Sequence, residues 1–307
     1  MNITAAGSLP GDDFRGALTA MAEALRELMP WPELPARGVE SGMIGRALGL
    51  TQDLAFDLTT AGWRLTQHSD RQHRRAVAQW RQDLDDAEEL LQEFEGRIKI
   101  ALAGPWTLAT AVERPTGDKV LGDAGARREV SQAVAEGARQ LGEELTRRLP
   151  NVELVWQTDE PSMPAVREGQ IKTASGLHRH RSVDVAQLVD LMPNGDILHC
   201  CAPGEWIDIA ARAGHRCVYV DARFADIDSI GAWLDGGREI ILGAIDASTC
   251  SRQPTDAIID TARRVTREVG TERVWLAPSC GLAGWNRQDV SWQLTQLRQA
   301  ADLLVDG

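Results

Sequence analysis

At 307 residues the chain is long enough for one large hydrophobic core. Its 43% hydrophobic and 25% charged residues exclude a disordered or fibrous class. A formal net charge of -12, with 33 Lys plus Arg against 45 Asp plus Glu, argues against a nucleic-acid-binding surface.

In chain order, an apolar run over 2–6 ends in Gly7-Ser8-Leu9-Pro10 and leads into a helical pattern over 14–28, which reads as strand, turn and helix. Prolines between Pro30 and Pro35 stop any helix, and 36–49 reads as a long loop entering a short helix, placed to cover a site. A second strand is expected over 62–66, followed by a charged helix over 70–95 in which Leu84, Ala87, Leu91 and Phe94 repeat at helical spacing. A third strand over 98–103 meets Gly104-Pro105, and a long helix over 124–149 precedes a fourth strand over 152–157. Strands over 196–200, 216–220, 239–243 and 273–277 then alternate with helices over 182–191, 205–213, 227–234, 255–268 and 289–305. Eight alternating units predict a single-domain (β/α)8 TIM barrel spanning 1–307, with its chemistry at the carboxyl ends of the strands.

No basic segment followed by an apolar one opens the chain, and no run of apolar residues is long enough to span a bilayer, so neither export nor a membrane is expected. Five Cys, an odd number, fit a reducing cytoplasm better than a disulfide scaffold. No glycine-rich dinucleotide or phosphate loop follows the first strand, so no nucleotide cofactor is indicated.

The predicted strand ends carry unusual residues. Strand periodicity puts His199 and Cys201 on one face and Cys200 on the other, so the first two can chelate. Asp221 ends the sixth strand, and Cys280 follows the eighth. One nitrogen, two thiolates and one carboxylate form a soft tetrahedral set that prefers zinc to magnesium or calcium. The alternative is that Cys201 and Cys280 are small buried hydrophobes, His199 is a satisfied polar residue and Asp221 caps a helix. Cys217 is expected to pack inside a strand, and Cys250 to lie in a loop. Asp159 and Glu160 suit a substrate amine, or a helix cap ahead of Pro161. Ser8 and the Gly104 turn can hold a carboxylate, and Trp106 and Trp285 can stack on a ligand or pack in the core.

Gly7-Ser8-Leu9-Pro10, Gly104-Pro105-Trp106-Thr107, Asp159-Glu160-Pro161, His199 with Cys201, and Pro278-Ser279-Cys280-Gly281-Leu282 together resemble the ordered motifs of the cobalamin-independent methionine synthase catalytic domain, over nearly the whole chain. That resemblance, which extends to the uroporphyrinogen decarboxylase barrel, implies a short single-barrel member. It implies a zinc ion on His199, Cys201, Cys280 and Asp221, and direct methyl transfer to a thiol, homocysteine above all. Asp159 would meet the amino group and Ser8 the carboxylate. Read from the residues alone, Glu160 and Trp106 are further candidates for substrate contact. The implied partners are the thiol and a methyl donor, either methyl-folate or a corrinoid protein. Two departures stand out: Asp221 replaces the family's usual Glu, and Gly243-Ala244-Ile245-Asp246 is followed by Ala247-Ser248 rather than by a proton-donating histidine two residues on. The competing functions are a metal-free decarboxylase and a non-catalytic barrel that binds a thiol or a metal.

Overall fold

Aspartates start several helices. In the computed structural model, which describes residues 1–306, Asp13 caps α1 (Phe14–Ala24) by accepting from Gly16 N. A two-residue strand, β1 (Met29–Pro30), follows, and then α2 (Met43–Leu48). The hairpin β2 (Ala55–Thr59) and β3 (Gly62–Thr66) leads to α3 (Arg71–Leu90), capped by Asp70. Next come β4 (Gly96–Ala103), α4 (Pro105–Ala111), α5 (Ala124–Arg148) and β5 (Val152–Asp159). The chain continues through α6 (Met163–Arg167), α7 (Val185–Leu191), β6 (Ile197–Cys200), α8 (Ile207–Arg212) and β7 (Cys217–Asp221). It ends with α9 (Ile227–Asp235), β8 (Glu239–Ile245), α10 (Thr255–Val269), β9 (Val274–Pro278) and α11 (Arg287–Asp306).

Seven strands form one parallel sheet in the order β1-β4-β5-β6-β7-β8-β9. Its strands are apolar on both faces, as a sheet covered by helices on one side and curled around a core on the other must be. The curl separates two apolar clusters. A small inner one holds Val155, Ile197, Cys217, Tyr219, Ile241 and Trp275. The large outer one holds Leu198, Cys200, Val218, Val220, Ile240 and Leu242 with the helices. Alternate residues of each strand therefore face inward.

Six expected strands are present as β4 to β9, but the closed eight-stranded barrel is not. The hydrogen bonds define a curled, open seven-stranded half-barrel. Segment 62–66 is a strand, yet it pairs antiparallel with β2 outside the main sheet, because only the two residues Thr60 and Ala61 connect them. The expected first strand, 2–6, makes only single bridges: Thr4 N donates to Leu276 O (3.0 Å) and Leu276 N to Asn2 O (3.0 Å). Further along, Leu9 N donates to Glu33 O (2.8 Å) and Glu33 N to Gly7 O (2.9 Å). Segment 2–9 thus touches β9 on one side and the chain beyond β1 on the other, without building a ladder on either. Among the described residues no helix is long and apolar enough to cross a membrane.

Candidate metal and substrate site

β6 delivers His199 to the inner face and hands on to Cys201; β9 ends at Pro278, two residues before Cys280. One ligand atom from each of His199, Cys201 and Cys280 lies within 4.8 Å of the others, and the two sulfurs are 3.4 Å apart. That spacing is well beyond a disulfide bond of about 2.05 Å. It is close to the ~3.8 Å expected of two sulfurs each about 2.3 Å from a tetrahedral ion. His199 Nδ1 lies 3.2 Å from Tyr219 O. A carbonyl only accepts, so Nδ1 carries the proton and Nε2 keeps its lone pair free for a metal. The Tyr219 ring packs 4.0 Å from the imidazole, centroid to centroid, and holds it in place.

The thiol pair is unequal. The hydrogen bond from Cys201, together with His199, draws the Cys280 thiol well below its ordinary value, and the same bond with burial pushes Cys201 up. Cys200 points the other way, into the outer cluster, where burial pushes its thiol up to about 12. Cys217 packs in the inner cluster and Cys250 is exposed.

Asp221, expected as the fourth ligand, does not join this group. Arg223 takes its carboxylate, with Nη2 2.6 Å from Oδ2, while Nη1 lies 2.6 Å from Asp246. Ser248, where the resemblance expects the histidine, donates to Asp246 Oδ1 at 2.6 Å.

Around the cluster lie the acids. Asp159 ends β5 beside His199 in register and accepts from Gln157 Nε2 at 2.7 Å. Burial raises its carboxyl to about 6, against the pull of His199 and Lys99. Lys99, fully buried on β4, donates to Gln157 Oε1 and, at 3.4 Å, to Ala6 O. Burial lowers it to about 7. Ser8 Oγ donates to Glu33 at 2.5 Å, and Arg46 approaches the other Glu33 oxygen at 3.3 Å. A Cβ on Gly281 would fall 2.6 Å from Ser8 Cβ, so only glycine lets the Cys280 loop close onto Ser8.

Two expected substrate residues are otherwise engaged. Glu160 is buried, and its oxygens accept from Trp106 N (2.9 Å), Thr107 N (2.7 Å) and Thr107 Oγ1 (2.7 Å), which makes it a cap for the start of α4. Trp106 is buried, with Nε1 donating to Leu188 O (3.0 Å). Trp285 is likewise buried and donates to Ala247 O (2.9 Å). A groove of about 870 Å3 lined by Leu108, Val134, Leu154 and Trp156 on the outer face includes none of the three clustered ligands.

Sequence reasoning missed Glu33, Lys99, Gln157, Tyr219 and Arg223. For Lys99 a signal existed: a lone lysine inside the apolar run Ile98-Lys99-Ile100 has nowhere to go but the strand's interior face.

Residues 99–303 match the model of the cobalamin-independent synthase catalytic domain. The chain belongs to that family. The matched region contains Asp159, His199, Cys201 and Cys280 and begins after Ser8 and Glu33. Among curated proteins none matches the chain. Solved structures share the fold. One is a B12-independent methionine synthase from Shewanella sp. W3-18-1 in complex with selenomethionine, 13% identical over 99% of this chain and 97% of that one, with a TM-score of 0.59. Another is a methyltransferase from Methanosarcina mazei, 13% identical over 95% of this chain and 85% of that one, with a TM-score of 0.60.

Proposed function

We propose that this member of the cobalamin-independent synthase family is a zinc-dependent methyltransferase acting on a thiol, with homocysteine as acceptor and methionine as product, the whole chain serving as one catalytic domain. The observation that carries the reading is the convergence of His199, Cys201 and Cys280, a soft N/S/S donor set with one imidazole nitrogen left free. These three residues would hold the ion. Zinc, when bound, lowers the pKa of a coordinated thiol and presents its sulfur as a nucleophile at neutral pH. Asp159, held in place through Gln157, receives the substrate ammonium. Ser8, pinned by Glu33, lies beside the Cys280 loop, where the amino acid's carboxylate would sit. The methyl donor is of the methyl-folate or corrinoid class, and a corrinoid donor would arrive on a protein partner.

Metal analysis of protein purified under reducing conditions, followed by transfer assays with homocysteine and each donor class, tests the reading. Stoichiometric zinc and methionine formed from one donor are expected. Absence of zinc together with no transfer from either donor would sink it.

A further inference from the structure

Asp221 is the acidic residue expected as the fourth ligand, yet both of its carboxylate oxygens are bonded to Arg223. It ends β7 two residues after the inward-facing Tyr219, so strand periodicity turns it toward the same interior, and it is only 2% exposed. Its Oδ1 accepts from Arg223 N (2.9 Å) and Nε (3.1 Å), and its Oδ2 from Arg223 Nε (3.1 Å) and Nη2 (2.6 Å). The guanidinium is fixed from the far side as well. Nη1 lies 2.6 Å from Asp246 and 3.5 Å from Ser248 Oγ, and Asp246 is itself held by Ser248 N (3.0 Å). A planar fork bonded along one edge to a carboxylate and at its remaining nitrogen to a second acid has a defined geometry that a lysine could not reproduce.

We propose that Arg223 is a latch that withholds Asp221 from the metal cluster, so that the protein supplies three ligands and the fourth position belongs to the thiol. This rests on the zinc reading above. The consequence is electrostatic. A neutral imidazole and two thiolates balance a divalent ion to zero net charge, so an incoming thiolate brings the site to a single negative charge. With Asp221 as a fourth ligand the site would already be negative, and the same thiolate would be repelled. Arg223 thereby favours binding of an anionic sulfur, at some cost in affinity for the ion.

The test is competition between the protein and a chelator for zinc, together with the visible spectrum of the cobalt(II)-loaded protein, which reports the ligand number. Asp221→Asn, Arg223→Gln and the double variant are compared with wild type. With Arg223 in place, Asp221→Asn is expected to leave zinc affinity and the cobalt spectrum unchanged. Arg223→Gln frees the carboxylate, should raise zinc affinity about tenfold or more, and should alter the spectrum; adding Asp221→Asn should reverse both changes. A loss of about tenfold or more in zinc affinity in Asp221→Asn alone would overturn the latch, because Asp221 would then be a resident ligand. So would an Arg223→Gln variant that is folded by circular dichroism and unchanged in both readouts. If Arg223→Gln does not fold, Arg223→Lys, which cannot reproduce the fork, takes its place with the same expected changes and the same overturning result. A wild type that binds neither zinc nor cobalt would instead remove the zinc reading itself and the latch with it, an outcome distinct from metal bound by wild type and lost in Asp221→Asn.

Discussion

Asp159 is a carboxylate that folding has made costly to ionise and has then supplied with reasons to ionise. Burial raises it to about 6, while His199, Gln157 and Lys99 draw it back. An ammonium ligand would complete that compensation. Asp159→Asn is therefore expected to weaken homocysteine binding by roughly 1.5–3 kcal/mol, the scale of a hydrogen bond to a charged group. It should leave zinc content and the binding of an uncharged thiol of similar size unchanged. Calorimetric titration with both ligands measures this, and equal weakening for the two would return Asp159 to a structural role. The cysteines make a second residue-scale test. Cys201→Ser and Cys280→Ser should lose tight zinc binding, since a hydroxyl is a poor ligand for a soft site. Cys200→Ser should keep it, because Cys200 lies in the outer cluster. Zinc analysis after dialysis against a weak chelator separates the three.

At the scale of elements, the site depends on how α4 begins. Glu160 meets three donors and no acceptor at the first turn of that helix, and a Cβ on Gly104 would fall 2.4 Å from its carboxylate. Burial pushes the carboxyl up to about 7, against the pull of those donors. Glu160→Gln keeps the size but turns an NH2 group toward backbone N–H donors. It should destabilise the protein by about 1–3 kcal/mol, the cost of a buried unsatisfied group. Urea denaturation checks this, and a variant as stable as wild type would mean that the cap contributes little. Elements also decided where sequence reading failed. Trp63 and Leu65 alternate as a strand should, but alternation does not name the partner, and the short connection to β2 fixed an antiparallel hairpin outside the main sheet. β1 has only two residues, Met29 and Pro30, and its role in the sheet comes from β4 rather than from any pattern of its own.

Across the whole molecule, acid sensitivity should trace in part to His215, just before β7. It is buried, and burial lowers it from 6.5 to about 4 against the pull of the Gly195 backbone and Asp196. Between those values the unfolded chain binds a proton that the folded protein refuses, so stability falls as the pH drops from about 6.5 toward 4. The full loss is about 3 kcal/mol, at 1.36 kcal/mol for each pH unit of displacement. His215→Leu should flatten this limb relative to wild type in urea melts taken across that range; identical limbs would show that other groups set the acid response.

What the sequence determined by itself was whatever is local or periodic. The alternation of apolar runs and helical stretches identified six strands of the sheet. The spacing His199-x-Cys201 set a common face, and the ordered motifs indicated the family that the match over residues 99–303 establishes. Tertiary structure alone decided which polar groups meet. Ser8 and Glu33 are 25 residues apart, Lys99 and Gln157 are 58 apart, and Cys201 and Cys280 are 79 apart, yet each pair is in contact. It also decided that Asp221 answers to Arg223 rather than to the cluster, and that Glu160 serves α4. A carboxylate's partner is set by Coulomb attraction and hydrogen-bond reach over a few ångströms, and those distances exist only after the sheet has curled its strand ends together.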